Sequence, residues 1–179
     1  MLKQLDIKHF TIFQEASFKF VKGLNIVLGE NGLGKTHILK LCYSLLATSA
    51  EAGKKNRNEV PTKNMLQGRI ADKLNHVFRP DRLGRLVQRK QGRERCTIDA
   101  QFKTSSLNTK VSFASQSSSE VKIDLLPEIW VDKPPVYLPT RELLTLYPNF
   151  ISVYENHYLE FEETYRDQRS GEISFSAII

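Results

Sequence analysis

Residues 29–36 read Gly29-Glu30-Asn31-Gly32-Leu33-Gly34-Lys35-Thr36, a complete match to G-x-x-x-x-G-K-[ST]. No other stretch limits the fold as tightly, because such a loop needs a strand before it and a helix after it. The flanks comply. Leu24, Ile26, Val27 and Leu28 form an almost continuous apolar run before the loop. A run of this kind predicts a strand in a sheet covered on both faces, as parallel sheets are when helices pack on them. After the loop, Ile38, Leu39, Leu41, Cys42, Leu45 and Leu46 recur at helical spacing. With this chain's own residue frequencies, roughly 0.005 chance matches to the motif are expected.

The spacing has a chemical reason. A loop that wraps a polyphosphate turns its backbone N–H groups inward, and Gly29, Gly32 and Gly34 allow backbone angles and close approaches that a Cβ would obstruct. The helix that follows adds its unpaired N–H groups and the positive end of its dipole. Lys35 is placed to reach the β- and γ-phosphates, and the Thr36 hydroxyl to hold Mg²⁺. The expected cofactors are therefore ATP and Mg²⁺. The expected binding set is Gly29, Glu30, Asn31, Gly32, Leu33, Gly34, Lys35, Thr36 and His37, with Thr36 as metal ligand. The bland alternative is a glycine turn beside a surface lysine.

Around this loop the chain is an ordinary globular one: 179 residues, 40% hydrophobic and 26% charged. That length can bury a core, and the composition excludes a disordered or collagen-like chain. No apolar run approaches the roughly 20 residues that span a bilayer. Asp6 also interrupts the place where a signal peptide would start its apolar stretch, so a cytoplasmic location without membrane contact is expected. Cys42 and Cys96 match no metal-ligand spacing and are read as reduced and inert.

Ahead of the loop, residues 2–10 and 16–21 predict two further strands, with Phe18 and Phe20 alternating against Lys19. Residues 51–63 are polar, and 64–78 carry Met65, Ile70, Leu74, Val77 and Phe78 at helix-like intervals. Strand-like runs at 96–102, 110–114 and 121–126 predict an antiparallel meander. Pro134-Pro135 then breaks the chain, residues 136–138 make a brief apolar strand, and an amphipathic segment runs to Tyr154. The charge divides unevenly. Residues 54–95 hold thirteen Lys or Arg against four acids, a local net of +9, and residues 140–179 hold three against seven, a net of −4.

The opening residues Leu5-Asp6-Ile7-Lys8-His9-Phe10-Thr11-Ile12-Phe13, together with Gly23 through Thr36, resemble the N-terminus of ABC-type AAA ATPases of the SMC, RecF and OLD kind. The stretch Pro135 through Glu142, with Tyr147-Pro148-Asn149-Phe150 and Phe161 through Tyr165, resembles a bacterial subgroup described simply as AAA family or ATP-binding proteins. Some members of that subgroup belong to DNA repair or phage-defence systems. The resemblance implies an α/β P-loop NTPase core with a partial parallel sheet, ABC-ATPase head-like, beside an antiparallel β-lobe. One N-terminal segment of such a domain would fill residues 1–179: β-lobe start, loop and helix at 1–50, basic arm and meander at 51–133, and a strand-to-helix junction with an acidic helical end at 134–179.

A complete head of that family also carries a Walker B strand ending in Asp-Glu and a Ser-Gly-Gly signature loop that closes on the partner's nucleotide. Neither is evident in the sequence, and no catalytic residue is assigned. The nearest imitation of Walker B, Glu128-Ile129-Trp130-Val131-Asp132, has Lys133-Pro134 where the catalytic Glu belongs. The expectation is therefore the N-terminal half of a head, which binds ATP and hydrolyses little alone. It would homodimerise or depend on a partner that supplies the missing half, and would be poorly soluble in isolation because its sheet edge is apolar.

By family position, Pro139-Thr140-Arg141-Glu142 is the junction that senses phosphate or metal: Arg141 could touch the nucleotide and Glu142 a metal-bound water. A proline turn with Thr140 as helix cap explains the same residues. Family geometry also places His9, Phe10 or Phe13 near the base, against the simpler reading of core aromatics. The basic arm at 54–95, with Arg79, Arg82, Arg85, Arg89, Lys90, Arg93 and Arg95, could neutralise nucleic-acid phosphates or could be a solvated face. Two readings from different classes stand: an ATPase head segment, possible in DNA repair or defence, and a non-hydrolysing ATP-binding module that docks to a partner. A small-metabolite kinase is a third, disfavoured by the meander that follows the loop.

Overall fold

The computed structural model describes residues 1–56, 59–89 and 94–138. Five strands, β1 (Leu2–Phe10), β2 (Phe13–Lys19), β3 (Arg95–Phe102), β4 (Thr109–Ala114) and β5 (Lys122–Leu125), form one sheet in the order β2-β1-β3-β4-β5. Every pair is antiparallel. Two helices, α1 (Lys35–Lys55) and α2 (Lys63–Phe78), pack their apolar faces into the same core as the sheet. Cys96, Ile98, Ala100 and Phe102 alternate inward along β3, as a half-buried strand requires.

β1 keeps that period only through its centre. Leu5 and Ile7 are buried two residues apart, whereas Leu2 and Phe10 each lie three residues away from them and are also buried. The pairing with β3 slips between Leu2 and Gln4, and His9 takes a left-handed backbone with φ +51°. Each irregularity turns the chain by one face, which returns an apolar side chain to the core. Away from the core, β1, β3 and β4 carry polar contacts, including Gln4 to Asp6 at 2.8 Å and Lys110 to Asp99 at 3.3 Å.

α1 contributes Ile38, Leu41, Cys42 and Leu45 to the core, and α2 contributes Leu66, Ile70, Ala71 and Leu74. Thr62 caps α2, its hydroxyl accepting from the Met65 N–H. The helices are tied to each other by Lys73, which is buried and lies 2.8 Å from Glu51, and by Lys40, whose Nζ donates to the Val77 carbonyl.

The meander and the α2 prediction stand to within a few residues. The second strand starts three residues and ends two residues earlier than expected. The strand predicted before the loop is different: residues 24–28 take no strand pairing, and Leu24, Ile26 and Leu28 are 82%, 68% and 87% exposed. The partial parallel sheet is therefore not found among the described residues, whose sheet is antiparallel throughout. The physical reason is the absence, among them, of any strand that could flank 24–28 in parallel; the local pattern is apolar, and backbone pairing needs a partner.

The segment that imitates Walker B is no strand, in keeping with its rejection from the sequence. Residues 128–132 serve as a clasp over α1 and the loop after it. The Trp130 indole donates to the Glu59 carbonyl at 2.6 Å and covers Gly53, and the Val131 N–H donates to Ser49 Oγ at 2.9 Å. Residues 136–138 are likewise not a strand; Tyr137 packs on Tyr43 with ring centroids 5.7 Å apart.

Candidate functional site: the glycine loop and its supporting turn

The loop at 29–36 leads into α1 as its motif predicts. Gly32 and Gly34 have φ +86° and +79°, a region that a side chain resists. Gly34 is the N-terminal cap of α1, no side chain caps that helix, and no acid lies in its first turn. The N–H groups of that first turn consequently have no intrahelical acceptor and point toward the loop. Lys35 Nζ bridges the loop, donating to the carbonyls of Gly29 and Glu30 at 2.6 and 2.7 Å. Thr36 is exposed on the first turn, free to present its hydroxyl.

The β1–β2 turn lies directly against this loop. A Cβ on Gly34 would fall 2.6 Å from Phe13 Cζ and 2.7 Å from Ile12 Cδ1. Thr11, between the two strands, has φ +50°, an outlier for a β-branched residue. Its hydroxyl lies 3.0 Å from Nδ1 of His37. The His37 ring also meets the edge of Phe78 at the end of α2, centroids 5.7 Å apart. Burial first, and then the Lys40 charge, holds the His37 imidazole below its usual value. The turn is fixed from its far side as well: the Thr11 N–H donates to the Leu86 carbonyl, the Gln88 N–H to the His9 carbonyl, and the Gln88 side chain to the Ile12 carbonyl.

Of the aromatic candidates for the base, Phe10 is wholly buried and stacks edge-on against Phe78, so it belongs to the core. Phe13 sits on Gly34 and meets Phe18 edge-on. His9 lies 3.5 Å from Glu94. Arg141 and Glu142 lie outside the described residues, as do Thr140 and the acidic end. The basic arm divides: Lys73 is buried against Glu51, Arg95 donates to Ser112, and Arg79, Arg82, Arg85 and Arg89 are exposed. Lys90 and Arg93 are outside the described residues. Among the described residues no strand ends in an Asp-Glu pair, no cluster of His, Cys, Asp and Glu is set to hold a metal, and no helix is long and apolar enough to cross a membrane.

Sequence reasoning missed Thr11, Phe78 and Lys40 as neighbours of the loop. Only the helical spacing of Phe78 carried any signal, and that signal pointed to the core.

A strand-less approach, a glycine loop, and an uncapped helix with a lysine across the mouth make up the candidate site, set on an antiparallel α/β scaffold. A family model for the AAA domain matches residues 4–133, and the chain belongs to that family, among its SMC/RecF-like ABC-type ATPases. The chain is similar to the DNA replication and repair protein RecF of Limosilactobacillus fermentum, 27% identical over 116 residues that make up 65% of this chain and 27% of that one. It is also similar to RecF of Streptococcus gordonii, 42% identical over 57 residues (32% of this chain, 16% of the relative). RecF of Streptococcus thermophilus is 49% identical over 47 residues (26% and 13%). The chain thus spans about a quarter or less of the length of these relatives.

Proposed function

We propose that this chain binds Mg-ATP through Gly29–His37 and works as part of an ABC-type ATPase head. The observation that carries the reading is the loop's own conformation: two glycines at positive φ, an uncapped α1 with its first-turn N–H groups turned to the loop, and Lys35 across the mouth. A side chain at Gly34 would collide with Phe13 and Ile12 and disturb the loop, so the glycine is part of the loop's shape. When bound, magnesium supplies charge neutralisation at the β- and γ-phosphates. The protein's part is to hold the phosphates with backbone N–H groups and the Lys35 ammonium, and to present the Thr36 hydroxyl to the metal. Arg141 and Glu142 are proposed to complete the γ-phosphate side.

Hydrolysis belongs to a complete or complemented head, since no Asp-Glu strand end lies among the described residues. A partner is supported by the exposed apolar segment 24–28, which a second copy or another chain would cover with flanking strands. The relatives' part in DNA replication and repair supports nucleic-acid contact through residues 54–95. The second reading, an ATP-holding module that docks without cleaving, draws on the same missing carboxylate.

Calorimetric titration with Mg-ATP tests the proposal. Lys35→Ala is expected to weaken binding by at least about tenfold, as loss of a charge-assisted phosphate contact does. An unchanged dissociation constant overturns it. Phosphate release by the purified chain, abolished in Lys35→Ala, would overturn the expectation of little turnover.

A further inference from the structure

We propose that Arg82, Arg85 and Arg89 form a docking surface for this chain's own acidic run, Glu160-Phe161-Glu162-Glu163. The contact is ionic and intramolecular, stands independently of the nucleotide reading, and gives the uneven charge of the chain a structural consequence.

A basic run is usually a solvated face, because ordering long side chains costs about what a screened charge pair returns. Residues 82–89 are built differently. Leu83, Gly84, Leu86 and Val87 are buried between the arginines. Their backbone is pinned: the Gly84 N–H donates to the Ser117 carbonyl at 2.8 Å, the Leu86 carbonyl accepts from Thr11, and the Gln88 N–H donates to the His9 carbonyl. Gly84 also lies so close to the Ser115 carbonyl that no side chain would fit there. With these residues turned inward, Arg82, Arg85 and Arg89 stand exposed on a fixed frame. Arg82 precedes the 3₁₀ turn Leu83–Leu86 and Arg85 follows at i+3, a spacing that stacks side chains on one side of such a turn. Arg89 folds back to the Ser115 carbonyl, against which Gly84 packs. Asp81, itself exposed, lies 3.7 Å from Arg85 and is one acid against three cations. A cationic face assembled in advance pays less to bind an anion.

The occupant follows from charge and tether. Residues 143–165 contain no Lys or Arg and four acids, Glu155, Glu160, Glu162 and Glu163. They are attached close to the arginines. Tyr137 shares a buried cluster with Tyr43, Ala47 and Val77, and Phe78 packs against that cluster. Arg79 closes α2 directly after Phe78, and Arg82 comes three residues later. Only residues 139–159 lie between Leu138 and Glu160, and extended chain covers up to about 3.3–3.6 Å per residue, so the acids reach the face with length to spare. A tether of this kind holds them at an effective concentration on the order of millimolar. That favours the chain's own carboxylates over a dilute free polyanion. A nucleic acid drawn to the same arginines has to displace them.

Zero-length carbodiimide cross-linking tests the contact in the full chain carrying Arg82→Lys, Arg85→Lys or Arg89→Lys, each of which keeps the charge and supplies an amine that can be joined to a carboxylate. Peptide mapping of the monomer band is expected to show bonds from at least one of these amines to Glu160, Glu162 or Glu163. Their yield should fall at least about fivefold in about 1 M salt, where the screening length is about 3 Å. No such bond in the monomer, bonds confined to a dimer band, or a yield indifferent to salt overturns the proposal. Digestion by a glutamate-specific protease reads the same contact without a cross-linker. Cleavage after Glu160, Glu162 and Glu163, measured against the exposed Glu120 of the same chain, is expected to quicken at least about threefold in Arg82→Gln/Arg85→Gln/Arg89→Gln. An unchanged ratio also overturns the proposal, because protection from any other source does not depend on the arginines. The lysine variants retain every charge and carry the test if the glutamine variant does not fold.

Discussion

Gly34 and Phe13 are packed so closely that a β-carbon on Gly34 would lie 2.6 Å from Phe13 Cζ. The glycine is thus required twice, by its φ of +79° and by the aromatic ring of the neighbouring turn. Gly34→Ala is expected to cost about 1–3 kcal/mol of stability and to weaken Mg-ATP binding as the turn is pushed off the loop. Urea midpoints and calorimetry measure the two effects. Phe13→Ala in the same chain should relieve only part of the clash, since Ile12 Cδ1 also stands 2.7 Å away, and none of the backbone strain, so a complete rescue would contradict this account.

Gly68 is the opposite case. It lies inside α2 with open space where a Cβ would go. Gly68→Ala is expected to stabilise the protein by about 0.5–1 kcal/mol, because the alanine loses less backbone freedom on folding. A fall in the urea midpoint would show a contact at Gly68 that the fold does not contain.

Residues 24–28 and β1 should respond differently to substitution. Leu24 and Leu28 are more than four-fifths exposed, whereas Leu5 is wholly buried. Leu24→Lys and Leu28→Lys are expected to change monomer stability by no more than about 0.5 kcal/mol, and Leu5→Ala to cost about 2–5 kcal/mol. The lysine variants should also reduce self-association in sedimentation velocity. Unaltered association would mean that 24–28 is not the adhesive surface.

His37 gives the fold a pH dependence. Its imidazole is held below 6.5 by burial and then by Lys40, so the unfolded chain binds the proton more readily than the folded one. The stability this contributes is fully present above the unfolded value and is lost as the pH falls through the folded value. Urea midpoints at about pH 8 and about pH 5 should therefore differ more in wild type than in His37→Gln. An identical pH response in the two proteins would exclude His37 as the source.

The two thiols should be silent in the folded protein. Burial pushes the Cys42 thiol up to about 12 and raises Cys96 as well. At about pH 8 only about one Cys42 in 10⁴ would be thiolate, too little for prompt reaction. Ellman's reagent is expected to report both thiols in urea and neither in buffer over the same minutes. Prompt reaction of either in buffer would place it at the surface.

The glycine loop was legible because its chemistry is written in eight adjacent residues, and the meander because strand period and turn residues are local. The supporting turn was not. Nothing adjacent to Thr11 announces a left-handed threonine, since the force that imposes it comes from Leu86 and His37, distant in sequence. What residues 128–132 do instead was equally hidden. Trp130 and Val131 have strand-like character, but a hydrogen bond to Glu59 and another to Ser49 satisfy them on the surface of α1.

By itself, the sequence determined that this protein carries a G-x-x-x-x-G-K-[ST] loop, where its helices and meander run, and which side chains are candidates for phosphate and metal. Those are consequences of spacing along the chain. Only the tertiary structure decided that the apolar run at 24–28 stands exposed instead of inside a parallel sheet, and that Thr11, Ile12 and Phe13 wall the loop. Apolar character gives a segment a reason to be covered, but pairing is settled by whichever strands the rest of the fold brings alongside. Among the described residues, those strands pair with one another.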